Sequence, residues 1–309
     1  MNSKTKTQFI EYFIKGIKKT EQLKIGVEHE RFLFEGKNKK RITYKKLKQL
    51  FENLKKKGWV SILEKKNVVG LKRGKQQITT EPGLQCELSG APLENIHQVC
   101  SESSNYLKEI KEASSGLDIN TASVGFDPFN KLASLPINPK ERYKIMTNEM
   151  PKSGELSLEM MYRTCGIQIN YDYTSEVNFE KIFRLGNYLV PLTIALYANS
   201  PFENGKPTGY QSYRNKIWQK TSRSGIMPIV FEKLTFEKYF DHAINYPILF
   251  ATRDKNYIQP NGQIFKDFIE GKFKNINGEA NLKDFETHLA TIFTEVRLKQ
   301  FVEVRSLDT

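Results

Sequence analysis

Ile25-Gly26-Val27-Glu28-His29-Glu30-Arg31-Phe32-Leu33-Phe34 is the stretch whose reading decides the fold. Ile25, Val27, His29, Arg31 and Leu33 point one way, and Glu28, Glu30, Phe32 and Phe34 the other. A period of two belongs to a strand, not a helix. Glu28 and Glu30 therefore stand about 7 Å apart on one face, beside aromatic rings. Like charges on a half-buried face are costly unless something cationic neutralises them. A solvated acidic sheet edge is the alternative for this stretch alone, and the rest of the chain decides between the two.

Three more segments share that character. After a turn at Glu81-Pro82-Gly83, where the glycine is expected to supply a positive φ, residues 85–90 put Gln85 and Glu87 on one face and Cys86 and Leu88 on the other. Residues 163–172 read as a strand with Thr164, Gly166, Gln168, Asn170 and Asp172 on a polar face and an apolar back. Such a strand lines either solvent or a polar cavity. Residues 300–305 turn Phe301, Glu303 and Arg305 one way and Val302 and Val304 the other. Residues 68–71 and 77–80 form a hairpin, and 121–126 another short strand.

Between the strands run apolar stripes at helical spacing. They cover residues 5–19, 44–57, 91–114, 140–150, 176–199, 234–245 and 282–293. Pro92 opens the third of these, and His97 and Cys100 fall one turn apart on its buried side, as packing residues. Residues 176–199 give the longest helix. Residues 212–218 place Arg214 and Trp218 one turn apart, and residues 260–279 are a loop-like polar patch. There is no internal repeat.

The net charge is +13 and the mean hydropathy −0.54. Lysine scattered among Asn and Ile is solvating charge rather than a nucleic-acid stripe, since basic and aromatic residues do not interleave on a strand pair. Three cysteines exclude a disulfide framework and suit a reducing compartment. With no leader-like start and no membrane-length apolar run, the expectation is a soluble, cytoplasmic protein.

Carboxylates alternating along several strands suit a hard, oxygen-seeking cation such as Mg²⁺, usually held together with phosphate oxygens. Zinc is disfavoured, because the four histidines lie far apart in sequence and no Cys-x-x-Cys occurs. Neither a Gly-rich loop with Lys nor Gly-x-Gly-x-x-Gly is present, so nucleotide binding would be metal-centred. Chemistry that needs Mg²⁺ and arginine at a phosphate is phosphoryl transfer from ATP.

Gly26-Val27-Glu28-His29-Glu30, Glu87-Leu88-Ser89-Gly90-Ala91-Pro92-Leu93, Arg142-Tyr143-Lys144-Ile145-Met146, Arg163-Thr164-Cys165, Ala198-Asn199-Ser200-Pro201-Phe202 and Thr294-Glu295-Val296-Arg297-Leu298-Lys299 occur in this order. From about Lys24 onward the chain resembles glutamate–cysteine ligases of the plant and proteobacterial type. The resemblance implies an α+β, glutamine-synthetase-like fold, with a curved, mostly antiparallel sheet forming a funnel and helices outside. It implies ATP-dependent joining of the γ-carboxylate of L-glutamate to the amine of L-cysteine, the first step towards glutathione. Matched motif to motif, it makes Glu28, Glu30, Glu87 and Glu303 metal ligands. Arg305 and Lys299 meet ATP phosphates and serve catalysis, and Arg142, Arg163, Thr164, Arg214 and Trp218 are substrate contacts.

Two departures accompany the resemblance. The family continues well past the position matching Arg305, so residues 1–309 are expected to be a single catalytic domain without the usual C-terminal portion. Val302 and Val304 would then lie at a bare strand edge, in a weakly active, self-associating chain. The regulatory disulfide cysteines of the plant enzymes have no counterpart here, and Cys86, Cys100 and Cys165 are read on apolar faces. The rival readings are a related carboxylate–amine ligase with another acceptor and an inactive binding module. The partners expected are L-glutamate, L-cysteine and ATP, with no nucleic acid and no membrane; the oligomeric state is left open.

Overall fold

The strand that the alternation predicts is the centre of the molecule in the computed structural model, which describes residues 3–254, 256–259, 262–273 and 278–309. β1 (Ile25–Glu35) is long enough to change neighbours half-way. Its first half pairs with β6 (Cys86–Ser89) on one side and β8 (Gly166–Tyr171) on the other. Its second half pairs with β2 (Lys40–Arg41) and β7 (Ile119–Ala122). Beyond β6 the sheet runs through β5 (Gln76–Thr80) and β4 (Asn67–Arg73) to β3 (Val60–Glu64). Beyond β8 it runs through β10 (Val302–Asp308) to β9 (Val296–Leu298). Every pairing in this ten-stranded, open sheet is antiparallel. The expected α+β class, an antiparallel sheet with helices around it, is what the chain forms.

Each stripe finds its partner. α2 (Tyr44–Lys55) buries Leu47, Leu50, Phe51 and Leu54, and α3 (Ile96–Ser114) buries Tyr106 and Ile110, against Leu71, Ile78, Cys86 and Leu88 of the sheet. Each such aliphatic or aromatic side chain contributes about 1.5–3 kcal/mol of transfer free energy. A second core joins α1 (Ser3–Ile14), α6 (Glu176–Tyr188), α9 (Phe236–Ala243) and α11 (Leu282–Ala290) around Phe9, Phe13, Phe179, Phe236 and Phe285. A third is rich in methionine and tyrosine, and gathers α4 (Glu141–Glu149), α5 (Ser157–Arg163) and α8 (Tyr213–Gln219). It forms one wall of the cleft described below.

Several expectations are corrected. α3 starts at Ile96, not at Pro92, because Asn95 caps it by accepting the Gln98 amide hydrogen at 3.0 Å. Its buried stripe runs through Val99, Tyr106 and Ile110, which leaves His97 and Cys100 exposed. The 176–199 helix is broken into α6 and α7 (Val190–Leu196), with Pro191 in the first turn of the second. α3, at 19 residues, is longer than either. Arg163 and Thr164 end α5 rather than begin a strand. In the 81–84 turn the positive φ belongs to Leu84, at 60°, and not to Gly83. Glycine is required at 83 because a Cβ there would lie 2.6 Å from the Tyr162 carbonyl oxygen. β10 is not a bare edge: it pairs with β8 and β9, and Val302 is fully buried. The polar patch contains a short helix, α10 (Phe265–Ile269), while residues 260, 261 and 274–277 lie outside the described residues.

Candidate active site

Antiparallel register carries the carboxylates into a common row. Glu30 lies directly opposite Glu87, Glu87 opposite Thr79, and Glu28 opposite Gln168. Outward-facing neighbours such as Leu88 pack under the helices, so the acidic residues face inward. They floor a cleft of about 510 Å³ that also receives Glu81, Arg142, Arg297 and Arg305. Its far wall is aromatic and polar, made by Phe250, Tyr257 and the α11 residues Lys283 and Thr287. The polar face expected of β8 works as amide support. Gln168 Nε2 donates to Glu30 at 2.8 Å, Asn170 Nδ2 donates to Glu28 at 3.0 Å, and the Gly166 amide donates to Glu30 at 2.6 Å.

The floor is electrostatically unsatisfied. Burial, followed by repulsion from Glu81, pushes the Glu30 carboxyl up to about 7. Burial and the neighbouring charges of Glu28, Glu81 and Glu30 push Glu87 well above the ordinary range. Burial and Glu303 push Glu28 up as well. Three carboxyls that resist ionisation on one wall make a place for positive charge.

The β9–β10 end is the reverse. Burial alone would raise Glu303, but Arg297, Lys299 and Arg305 outweigh it and hold the carboxyl well below its usual range. Arg297 donates to both carboxylate oxygens, from Nε at 3.0 Å and Nη2 at 2.9 Å. Lys299 Nζ lies 3.0 Å away, and Arg305 donates as well.

The residues expected at the site fall into three groups. Glu28, Glu30, Glu87, Arg142 and Arg305 line the cleft, while Thr164 and Trp218 line a smaller compartment behind it. Arg214 and Lys299 stand one layer back. Arg214 packs over the Trp218 ring at 4.8 Å and donates to the Arg305 carbonyl at 3.0 Å, while Lys299 and Glu303, paired at 3.0 Å, stand behind the cleft lining. Arg163 is not brought to the cleft. It is spent on Glu159, Glu203 and the Asp127 carbonyl, over the Phe126 ring.

Sequence reasoning missed Glu81, Arg297 and the outer aromatic wall. Glu81 was legible: it continues the alternation of Thr79 on β5, and Pro82 drew the reading to a turn instead. Tyr143 donates to the Glu81 carboxylate at 3.2 Å, and Asn138 Nδ2 to its carbonyl at 3.0 Å.

Carboxylate oxygens, backed by amides and poor in neighbouring cations, are the donor set a divalent ion such as Mg²⁺ takes. Glu28, Glu30 and Glu87 fit that chemistry. Glu303 does not as it stands, since both its oxygens are already held by cations. Among the described residues, no three His, Cys, Asp or Glu side chains are close enough together to enclose an ion.

The family described as Glutamate-cysteine ligase family 2 matches residues 24–309. Glutamate–cysteine ligase A, chloroplastic, of Oryza sativa subsp. japonica is 45% identical, covering 98% of this chain and 63% of its own length. The chloroplastic enzyme of Nicotiana tabacum is 44% identical, covering 98% and 59%, and that of Arabidopsis thaliana 42%, covering 98% and 59%. The chain thus spans about three-fifths of the length of these relatives. Their chloroplastic names overturn the expectation of a cytoplasmic protein; no described helix is long and apolar enough to cross a membrane. Among solved structures, a glutamate–cysteine ligase from Francisella tularensis in complex with AMP superposes with a TM-score of 0.54 over 94% of this chain and 62% of that one. At 14% identity it shows the fold alone.

Proposed function

The chain belongs to glutamate–cysteine ligase family 2, and from that premise we propose that it joins the γ-carboxylate of L-glutamate to the amine of L-cysteine at the expense of ATP. One observation carries the reading: buried Glu87 and half-buried Glu28 and Glu30, their carboxyls raised, share one cleft with Arg142, Arg297 and Arg305. A γ-carboxylate oxygen attacks the γ-phosphorus of ATP, its O–P bond forming as the bond to ADP breaks. The neutral amine of cysteine then attacks the acyl carbon, and phosphate leaves with the bonding pair as the nitrogen sheds a proton.

Both steps gather negative charge, which fixed cations stabilise best where water is excluded. Arg305 is the phosphate contact: it is buried, lines the cleft and is aimed by Glu303. Lys299 and Arg297 add positive potential from behind. Arg142, with Nη2 donating to the Tyr143 hydroxyl at 3.0 Å, presents the rest of its guanidinium to a substrate carboxylate. Arg214 braces Trp218 and Arg305 from below. One or two of Glu28, Glu30 and Glu87, together with ATP phosphate oxygens, would hold a Mg²⁺ ion that supplies charge neutralisation there, and Glu303 would join that set only by giving up one of its three cations.

Phosphate release is measured with ATP and each amino acid, alone and together. The reading expects release that requires glutamate and rises sharply on adding cysteine. Release indifferent to both amino acids overturns it.

A further inference from the structure

β10 does not keep one register along its length. Val304 lies opposite Ile169 of β8 and Leu307 opposite Ile167, so three steps on β10 answer two on β8. Arg305 and Ser306 sit in the resulting bulge, with no opposite number on β8. A bulge re-aims the side chains it carries, and Arg305, at this one, lines the cleft. Its carbonyl oxygen, outside the ladder, accepts from Arg214 Nη2 at 3.0 Å, and its amide donates to the Glu295 carbonyl at 2.9 Å.

Arg214 is therefore the side chain that closes the bulge, and it is tightly seated. Its guanidinium packs over the Trp218 ring, and a Cβ at Gly166 would lie 2.6 Å from Arg214 Nη2, so only glycine leaves it room. The amide of that same Gly166 supports Glu30.

β10 is back in register at Asp308, which lies opposite Gly166. Asp308, Ser200 and Arg214 are all buried. Asp308 Oδ2 accepts from the Asn199 amide at 2.9 Å and the Ser200 hydroxyl at 2.6 Å, and Oδ1 accepts from the Ser212 hydroxyl at 2.9 Å. Ser200 Oγ in turn accepts the Arg214 amide hydrogen at 3.0 Å, and Ser212 Oγ caps α8 by accepting that of Asn215 at 3.2 Å. Arg214 Nη1 stands 4.0 Å from Asp308 Oδ1. One carboxylate thus holds the backbone of Arg214 through a serine and the end of its side chain by charge. Asp308 itself lines neither the cleft nor the compartment behind it.

We propose that Asp308 is a positioning residue for Arg305: through Arg214 it holds the bulge that aims the Arg305 guanidinium at the transferring phosphoryl group. The proposal rests on the ligase reading above, which makes Arg305 the phosphate contact, and adds to it a residue that touches no substrate. A contact that strengthens as charge develops lowers kcat when it slips and leaves KM nearly alone. A displacement of about 1 Å at the reacting groups can cost about a hundredfold in rate.

The test is Asp308→Asn, which keeps the side chain's shape, puts a donor among donors and removes the charge facing Arg214. Phosphate release with ATP, glutamate and cysteine is measured in the native protein, Asp308→Asn, Arg214→Met and the double variant. Arg214→Lys is the milder background if Arg214→Met does not melt cooperatively or turn over. Asp308→Asn should lower kcat about tenfold to a hundredfold and leave each KM within about threefold of native. In the Arg214 background the same substitution should cost less than about twofold, because residues acting through one another are not additive. Equal losses in both backgrounds overturn the proposal, as does a raised KM with kcat kept. A native protein that releases no phosphate for glutamate and cysteine sinks the ligase reading instead. Asp308 is then judged by the fluorescence of Trp218, the other tryptophan, Trp59, lying in the α2–α3 core. An emission shift in Asp308→Asn that is absent when Arg214 is already replaced sustains the proposal, and any other pattern overturns it.

Discussion

Glu87 and Glu303 lie on one sheet, both buried, and burial pushes the carboxyl of each upward; yet one ends well above its ordinary range and the other well below. Glu87 looks across at Glu30, with Glu28 and Glu81 beside it. Glu303 looks across at Arg297, with Lys299 and Arg305 behind. Burial sets the stakes and neighbours set the sign. The floor of the cleft is built to receive charge, and the β9–β10 end is built to hold charge it already has.

The largest effect should come from emptying the satisfied end. Glu303→Gln leaves two buried arginines and a half-buried lysine without their anion, and unfolding by urea should show a loss of about 3–5 kcal/mol. Glu87→Gln, by contrast, removes a carboxyl that is already unwelcome, so the metal-free protein should unfold no more easily than the native one. If the two substitutions cost the same, the contrast is wrong.

The next effect reads the unsatisfied end through a ligand. Mg²⁺ at about a hundred times its Kd should stabilise the native protein by about 2.7 kcal/mol, and Glu87→Gln should abolish that gain. A gain that survives in Glu87→Gln would place the ion elsewhere.

A smaller effect depends on pH. The Glu30 carboxyl is raised from 4.5 to about 7, so its neutral form is the one folding favours. Its contribution is fully present below pH 4.5 and is lost as pH rises through 7, at up to about 1.4 kcal/mol per unit, less for partial exposure. In chelator, Glu30→Gln should therefore gain on the native protein by about 2 kcal/mol between pH 4.5 and 7. A constant difference would mean that Glu30 ionises normally.

The smallest serves as a reference. Asn95→Ala removes the cap of α3 and should cost about 1 kcal/mol, with the Mg²⁺ and pH responses unchanged.

What the sequence disclosed, and what it hid, follow the same division. Alternation exposed Glu28, Glu30, Glu87 and Glu303, because a strand's period puts a carboxylate on a chosen face whatever surrounds it. It could not separate Glu87 from Glu303, since two of the three cations that distinguish them, Arg297 and Lys299, come from outside β10. Arg142 and Arg163 look alike in sequence; only the fold brings Glu159 and Glu203 to Arg163 and leaves Arg142 facing the cleft. The smaller compartment was half visible: Trp218 was expected at the substrate, but Met160 lies on α5, where no helical stripe was read.

The exchange of partners half-way along β1 has a consequence for how the protein is made. Glu28 sits near the start of the chain, its amide support comes from Asn170, and the strand beyond Asn170 pairs it with Glu303. The contacts that assemble the cleft are thus among the most distant in sequence, and folds dominated by such pairings form slowly. At ribosomal speeds, on the order of tens of seconds separate the emergence of Glu28 from that of Arg305. The α2–α3 half, whose contacts close within the first two-fifths of the chain, can settle in that interval. The acidic row must wait with one side unpaired, so the nascent chain is most exposed to misassembly at the strand on which its chemistry depends.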